Sequence, residues 1–250
     1  MNEKKPVIIH VYTICYNEEI IMPYFLRHYS QFADKIFVFD NHSTDKTAEI
    51  AGSNKKVKRI LYGRPDKLYD SDLLKMKNEE YKNSRGQADW VIIVDVDEFI
   101  YHPSIPNLLE SYKSNGIHLP KISGYDMLGD DYPKTRGQLY EEINKGVSEP
   151  LYSKRAIFNP ELDVRYVEGA HKCFVSGKYY ESPSAEIKLL HYRFLCKEFF
   201  VKTMERRQSR CSEENIKKGW GYLRLSKEDT VRSWSERVFE AKKILRSKVV

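Results

Sequence analysis

Asp95, Asp97 and Glu98 close an apolar run, Trp90-Val91-Ile92-Ile93-Val94, so three carboxylates follow a segment that reads as a strand buried on both faces. Side chains alternate along an extended chain, which predicts Asp95 and Asp97 on one face and Val96 on the other. Two carboxylates aimed together repel each other unless a cation lies between them. Their oxygen donors select a hard divalent ion, Mg²⁺ or Mn²⁺, and such an ion usually holds phosphates. The competing reading is an acidic strand end that simply faces water.

Two other strand-like runs also end in polar residues. Val7–Cys15 leads into Tyr16-Asn17-Glu18-Glu19, and Lys35–Asp40 leads into Asn41-His42-Ser43-Thr44-Asp45. The elements that must position them alternate. Val57–Tyr62 is a weaker strand, and helical patterns cover Glu18–Phe32, Thr44–Ala51 and roughly Ser71–Ser84. Ser43 or Thr44 can cap the second helix, with Asp45 in its first turn. This rhythm predicts an α/β fold with a mostly parallel sheet flanked by helices and right-handed crossovers. Ligands of such sheets bind beyond the carboxyl ends of the strands. Three polar strand ends on one rim therefore mark a site.

After Phe99, Pro and Gly punctuate short segments, as in loops and a mixed sheet. Helix resumes over Lys197–Gln208 and Glu228–Lys248, with Gly219-Trp220-Gly221 as the break between. Residues 1–196 are expected to form the main domain and 197–250 a basic helical extension.

With 250 residues, 41% hydrophobic and 31% charged, the chain is long enough for one sizeable core and carries no sign of global disorder. The first apolar run is too short to span a bilayer, and no signal-peptide pattern precedes it, so a cytoplasmic location is expected. Cys15, Cys173, Cys196 and Cys211 lack metal or disulfide spacing and are expected as buried free thiols. Residues 197–250 hold 15 Lys/Arg against 8 Asp/Glu, leaving 27 against 28 for the rest. A basic helical tail can dock on an anionic membrane surface, here the inner face, or on an acidic partner; it can equally be a solvated face. Nucleic acid is not an expected partner, because no reading motif occurs and the body is not basic.

The segments Thr13–Glu19, Val38–Thr47 and Trp90–Phe99 together resemble the family 2-like group of GT-A glycosyltransferases. The most specific marks are Asp40-Asn41-x-Ser43-Thr44-Asp45-x-Thr47 after a strand and the following Asp95-x-Asp97-Glu98-Phe99. Weaker marks follow at Gly124–Asp126, Ser153–Arg155, Gly169–Lys172 and Leu190–Tyr192. The resemblance implies a Rossmann-like GT-A domain that moves a sugar from a nucleoside diphosphate donor to a glycan or lipid-linked hydroxyl acceptor. Inversion, a Mn²⁺ or Mg²⁺ ion and a place in cell-surface polysaccharide or glycoconjugate synthesis are implied with it.

Carried over by position, the resemblance implies that Thr13, Cys15, Asn17 and Glu18 lie near the nucleotide in the first loop. Asp40 would meet base or ribose, and Asn41, Ser43 and Asp45 would shape the second loop. Asn78 could reach the donor from its helix, although a solvated face is the simpler reading. Asp95 would face ribose or metal and Asp97 the metal, with His171 or His191 as a later ligand. His10, His28 and His42 read as packing or turn residues. An inverting transfer also needs a carboxylate base. The family's later Glu-Asp pair is missing, so Glu168 is the first candidate, Asp126 the second and Glu98 the third. The alternatives are a haloacid-dehalogenase-type phosphatase, whose Asp-x-Asp strand normally comes first in its domain, and a non-catalytic sugar- or nucleotide-binding protein. No Gly-rich phosphate loop occurs.

Overall fold

The computed structural model describes residues 7–220 and 226–245. Strands β1 (Ile9–Cys15), β2 (Lys35–Asp40), β3 (Val57–Leu61) and β4 (Trp90–Ile93) alternate with helices α1 (Met22–Tyr29), α2 (Thr47–Gly52) and α3 (Asp70–Glu79). Then follow β5 (Glu98–Tyr101), α4 (Ile105–Ser114), β6 (Ile122–Leu128), α5 (Leu139–Glu142), β7 (Lys145–Ser148), β8 (Ile157–Phe158), β9 (Asp163–Tyr166) and β10 (Cys173–Ser176). The chain closes with β11 (Ile187–Phe194), α6 (Lys197–Ser209), α7 (Glu213–Lys218), α8 (Lys227–Glu240) and β12 (Lys242–Lys243).

The first sheet has the order β3-β2-β1-β4-β8, with all pairs parallel except β4–β8. Alternation along its strands feeds two cores. Ile9, Val11, Ile36, Val38, Trp90 and Ile92 pack on one side; Tyr12, Phe39, Val91, Ile93 and Phe158 pack on the other. Burial on both faces is why the strands read as continuous apolar runs. Each fully buried Val or Ile contributes roughly 1.5–3 kcal/mol. The chain leaves β1 toward β2 and β3, then returns to place β4 on the other side. The strand order therefore switches between β1 and β4, where α/β sheets bind ligands.

A second sheet, β12-β7-β6-β11-β5, is mixed: β6 and β11 run parallel, and β5 and β7 pair antiparallel at either side. Close approach at Gly124 joins this sheet to the site. A Cβ there would come within 2.4 Å of the Tyr152 backbone, so only glycine lets the segment carrying Tyr152 lie on β6.

Several expected boundaries move. The first helix starts at Met22 with Pro23 in its first turn, because residues 18–21 form a turn instead. Neither Ser43 nor Thr44 caps α2, which begins at Thr47; Asp45 Oδ1 accepts from the Thr47 backbone N–H at 2.9 Å. The last helix stops at Glu240 and the chain turns into β12; the expected helical residues 246–248 lie outside the described residues, as does Gly221. All four cysteines are free, but Cys173 and Cys211 are only half-buried.

Candidate functional site

At the β1/β4 switch point lies a cavity of about 560 Å³. Its walls come from the β1 end (Cys15, Tyr16, Glu18), Asn41 after β2, the 68–77 stretch at the start of α3, the 95–97 turn, Tyr152, the 168–171 turn with His191, and the α6–α7 region.

Strand β4 ends at Ile93, so Asp95 and Asp97 are not oriented by strand alternation. They sit in a turn, closed by the Glu98 N–H donating to the Asp95 carbonyl at 3.0 Å. Glu98 returns the favour: its Oε2 accepts from the Asp95 N–H at 2.9 Å, and its Oε1 accepts from Lys154 Nζ at 2.6 Å. That ion pair is 3% and 1% exposed. Glu98 is thus a buried brace for the turn, with both carboxylate oxygens engaged.

Asp95 Oδ1 accepts from Lys77 Nζ at 2.7 Å. Burial alone would raise the Asp95 carboxyl, but Lys77 and Lys154 hold it well below the usual carboxylate range. Asp97 lies 3.4 Å from His191 Nε2 and 3.9 Å from Arg207. Burial opposes its charge as well, yet His191 and Arg207 bring it to about 2. His191 Nδ1 donates to Asp126 Oδ1 at 2.9 Å. Despite burial, the two carboxylates raise this imidazole to about 10. Asp126 is itself buried and lies 3.5 Å from Arg237. Its carboxylate backs His191 and is not among the residues that line the cavity.

Glu168 does open on the cavity. It is exposed and begins a short turn with Gly169 at φ 75° and Ala170 at φ 53°. A left-handed alanine is uncommon and costs about 1 kcal/mol, so packing must hold this turn in place. His171 lines the same wall at ring-centroid distance 5.3 Å from Tyr152. Burial and the nearby Lys154 lower its pKa. Of the two candidate histidines, only His191 meets Asp97.

The loops after β1 and β2 are laced together. The Asn17 N–H donates to Ser43 Oγ at 3.0 Å, the Thr44 N–H to Asn17 Oδ1 at 2.7 Å, and the Glu19 N–H to Asp45 Oδ2 at 3.1 Å. Asp40 is fully buried, held by Arg59 at 2.6 Å and by the Ser43 N–H at 2.8 Å. Thr13, Asp40, Ser43, Asp45 and Asn78 therefore do not line this cavity. Asn78 is committed to the β9 backbone, taking the Tyr166 N–H at 2.7 Å and giving to its carbonyl at 3.1 Å. Thr13 is buried in β1. Cys15, Glu18 and Asn41 remain at the cavity wall, with Asn17 at the adjoining cavity of about 260 Å³.

The opposite wall is cationic. Arg206 donates to the Asn17 carbonyl and, at 2.6 Å, to Glu18. Burial raises Glu18 to about 7 against the pull of Arg206. Arg210 donates to Asn41 Oδ1 at 2.8 Å and lies 3.4 Å above the Tyr16 ring. Four of the fifteen basic residues of 197–250, Arg206, Arg207, Arg210 and Lys218, thus line the cavity. Among the described residues, no helix is long and apolar enough to cross a membrane. Sequence reading missed Arg206, Arg207 and Arg210 as wall residues and Lys154 as the buried partner of Glu98. The available signal was the i, i+4 spacing of Arg206 and Arg210 at the end of α6, which puts both on one face.

A Mg²⁺ or Mn²⁺ ion is commonly held by one or two carboxylates completed by phosphate and water oxygens. Asp95 and Asp97 fit that donor set. His191 also fits, since a ligating imidazole gives its other N–H to a carboxylate. Among the described residues, no cluster of three or more His, Cys, Asp or Glu side chains is placed to hold an ion unaided.

A crystal structure of S. aureus TarS 1–349 in complex with UDP is 15% identical over 81% of this chain and 65% of that one, with TM-score 0.49. The same TarS fragment with UDP-GlcNAc gives 16%, 81%, 66% and 0.47. Glucosyl-3-phosphoglycerate synthase from Mycobacterium tuberculosis, with Mn²⁺, UDP and phosphoglyceric acid, gives 19%, 47%, 43% and 0.31. The chain spans 65% of the length of the first TarS structures it matches. No curated protein matches it in sequence. The pattern of one family does match, over residues 10–167, a stretch that holds β1 to β4, the Asp95–Asp97 turn and Asp126. The chain belongs to glycosyl transferase family 2.

Proposed function

We propose that the chain moves a glycosyl unit from a nucleoside diphosphate sugar to a hydroxyl of a glycan or lipid-linked acceptor, with inversion at the sugar carbon. The observation that carries this reading is the meeting of Asp95, Asp97, His191 and Glu168 in one cavity at the sheet's switch point. Asp95 and Asp97 would hold a Mn²⁺ or Mg²⁺ ion together with the donor's diphosphate. When bound, that ion supplies Lewis-acid stabilisation of the leaving diphosphate. Asp126 would keep the His191 ring oriented toward Asp97 as a positioning residue. Cys15, Glu18 and Asn41 would bound the donor on the β1–β2 side.

The acceptor oxygen must attack opposite the departing diphosphate and lose its proton as the new bond forms. The base belongs across the sugar from Asp97, where positive charge does not suppress its proton affinity. Glu168 is our candidate by position: it lines the cavity on the 168–170 turn, and no hydrogen bond or ion pair engages it among the described residues. It would take the acceptor proton while the bond from the sugar carbon to the phosphate oxygen breaks.

The test is Glu168→Gln in a transfer assay over a panel of nucleotide sugars, beside nucleotide binding. Donor binding is expected within about twofold of wild type and transfer to fall about a hundredfold or more, the scale of general-base catalysis. Asp126→Asn is the matched comparison. Full transfer by Glu168→Gln would remove Glu168 from the chemistry.

A further inference from the structure

We infer that Arg237, on α8 of the C-terminal extension, is a positioning residue of the site: it fixes both groups that orient the His191 ring toward Asp97. The consequence for the metal rests on the donor reading above. Arg237 Nη2 lies 3.5 Å from Asp126 Oδ2 and donates to Glu149 Oε2. The two carboxylates are 3% and 13% exposed. Leaving either without its cation is therefore costly.

Each carboxylate controls one side of His191. Asp126 accepts the His191 Nδ1–H on Oδ1 and turns Oδ2 to Arg237. Glu149 opens the 149–152 turn. Its N–H donates to the Gly124 carbonyl at 2.9 Å, its carbonyl accepts from the Tyr152 N–H at 3.0 Å, and its Oε1 accepts from the Leu151 N–H at 3.2 Å. That turn delivers the Tyr152 ring to His191, with ring centroids 4.0 Å apart. One guanidinium thus holds the acceptor of the His191 N–H and the start of the turn whose ring packs on His191. The helix that carries it is anchored by other means. Trp234 packs on Phe194 and Phe200 at 6.0 and 6.4 Å, Phe194 lying in the same strand as His191, and β12 pairs with the edge of β7. Arg237 lies outside the stretch that the family pattern matches.

The test is Mn²⁺ titration of wild type, Arg237→Gln, Arg237→Lys, His191→Gln and the double variant Arg237→Gln/His191→Gln. Beside it, NMR of the metal-free protein labelled with ¹⁵N-histidine follows exchange of the His191 Nδ1 proton with water, the signal being assigned by its loss in His191→Gln. Arg237→Gln is expected to weaken Mn²⁺ about fivefold, less than a direct partner of a ligating imidazole would, and to speed the exchange about fivefold or more. Arg237→Lys should recover part of both, because an ammonium keeps the charge and loses the planar fork. In the His191→Gln background, Arg237→Gln should change Mn²⁺ affinity less than about twofold, since both of its routes run through that ring. Arg232→Gln, exposed on the same helix and paired with Asp229, should change neither readout. Exchange or Mn²⁺ affinity within about twofold of wild type in Arg237→Gln would overturn the inference, as would a full fivefold effect without His191. Faster exchange in Arg237→Gln when wild type itself binds no Mn²⁺ would support the positioning role and count against the metal reading instead.

Discussion

The β1–β2 wall of the cavity holds its polar side chains on one another, whereas the wall from α6 turns cations toward the cavity. Asn17, Ser43 and Asp45 bond to neighbouring backbone, and Asp40 is closed off by Arg59. Arg207 stands 3.9 Å from Asp97, and both line the cavity. The wall richest in motif is thus mainly a construction that fixes strand ends. The wall without motif carries three arginines, Arg206, Arg207 and Arg210. A residue pattern can be specific because it builds a loop as well as because it touches a ligand.

The largest expected effect checks where stability resides. His28 is buried beneath the β1 half, donating from Nε2 to the Ile100 carbonyl at 2.9 Å, while its Nδ1 has no partner among the described residues. Burial lowers its pKa to about 4. The unfolded chain takes up that proton near pH 6.5, so stability is complete above pH 6.5 and is lost as pH falls toward 4. The loss is about 3 kcal/mol across that window. Denaturant unfolding of His28→Phe should show a shallower acid limb than wild type. Equal slopes would move the acid sensitivity elsewhere.

Asp40→Ala comes next. Breaking a buried pair costs about 3–5 kcal/mol, which the one-third exposure of Arg59 reduces to about 2–3 kcal/mol. The comparison of walls predicts a lower unfolding midpoint with nucleotide affinity changed only slightly. A large affinity loss at unchanged stability would put Asp40 in the donor site after all. Asp126→Asn should act the opposite way, lowering Mn²⁺ affinity tenfold to a hundredfold through the His191 ring. Unchanged Mn²⁺ affinity would reduce the Asp126–His191 bond to packing.

The smallest effect belongs to Asn78→Ala. Losing its two bonds to Tyr166 should cost about 1–2 kcal/mol of stability and leave nucleotide binding intact. Weaker nucleotide binding by this variant would return Asn78 to the site.

The sheet was legible because its β-branched and aromatic runs are too short for helices and are separated by helical patterns; Lys35–Asp40 forms β2 with its expected ends. The acidic turn was legible from residue type, although Glu98 and Lys154, not strand alternation, hold it. The bonds of Asn78 and Asp126 were not legible, because a polar side chain on an element does not announce whether backbone or buried histidine will take its bonds. The arginines were invisible for a different reason. A basic helix looks like a solvated face until topology carries it back to β1, and Arg206 meets Asn17 across 189 positions of chain.

The central claim is that the Asp95–Asp97 turn binds a nucleoside diphosphate through a divalent ion. Titration of a panel of nucleoside diphosphates into wild type and Asp97→Ala, with Mn²⁺ and with EDTA, tests it most directly. The account predicts binding by wild type in Mn²⁺, lost in EDTA and lost in Asp97→Ala, while the variant keeps its fold. Binding that survives both EDTA and Asp97→Ala would contradict it.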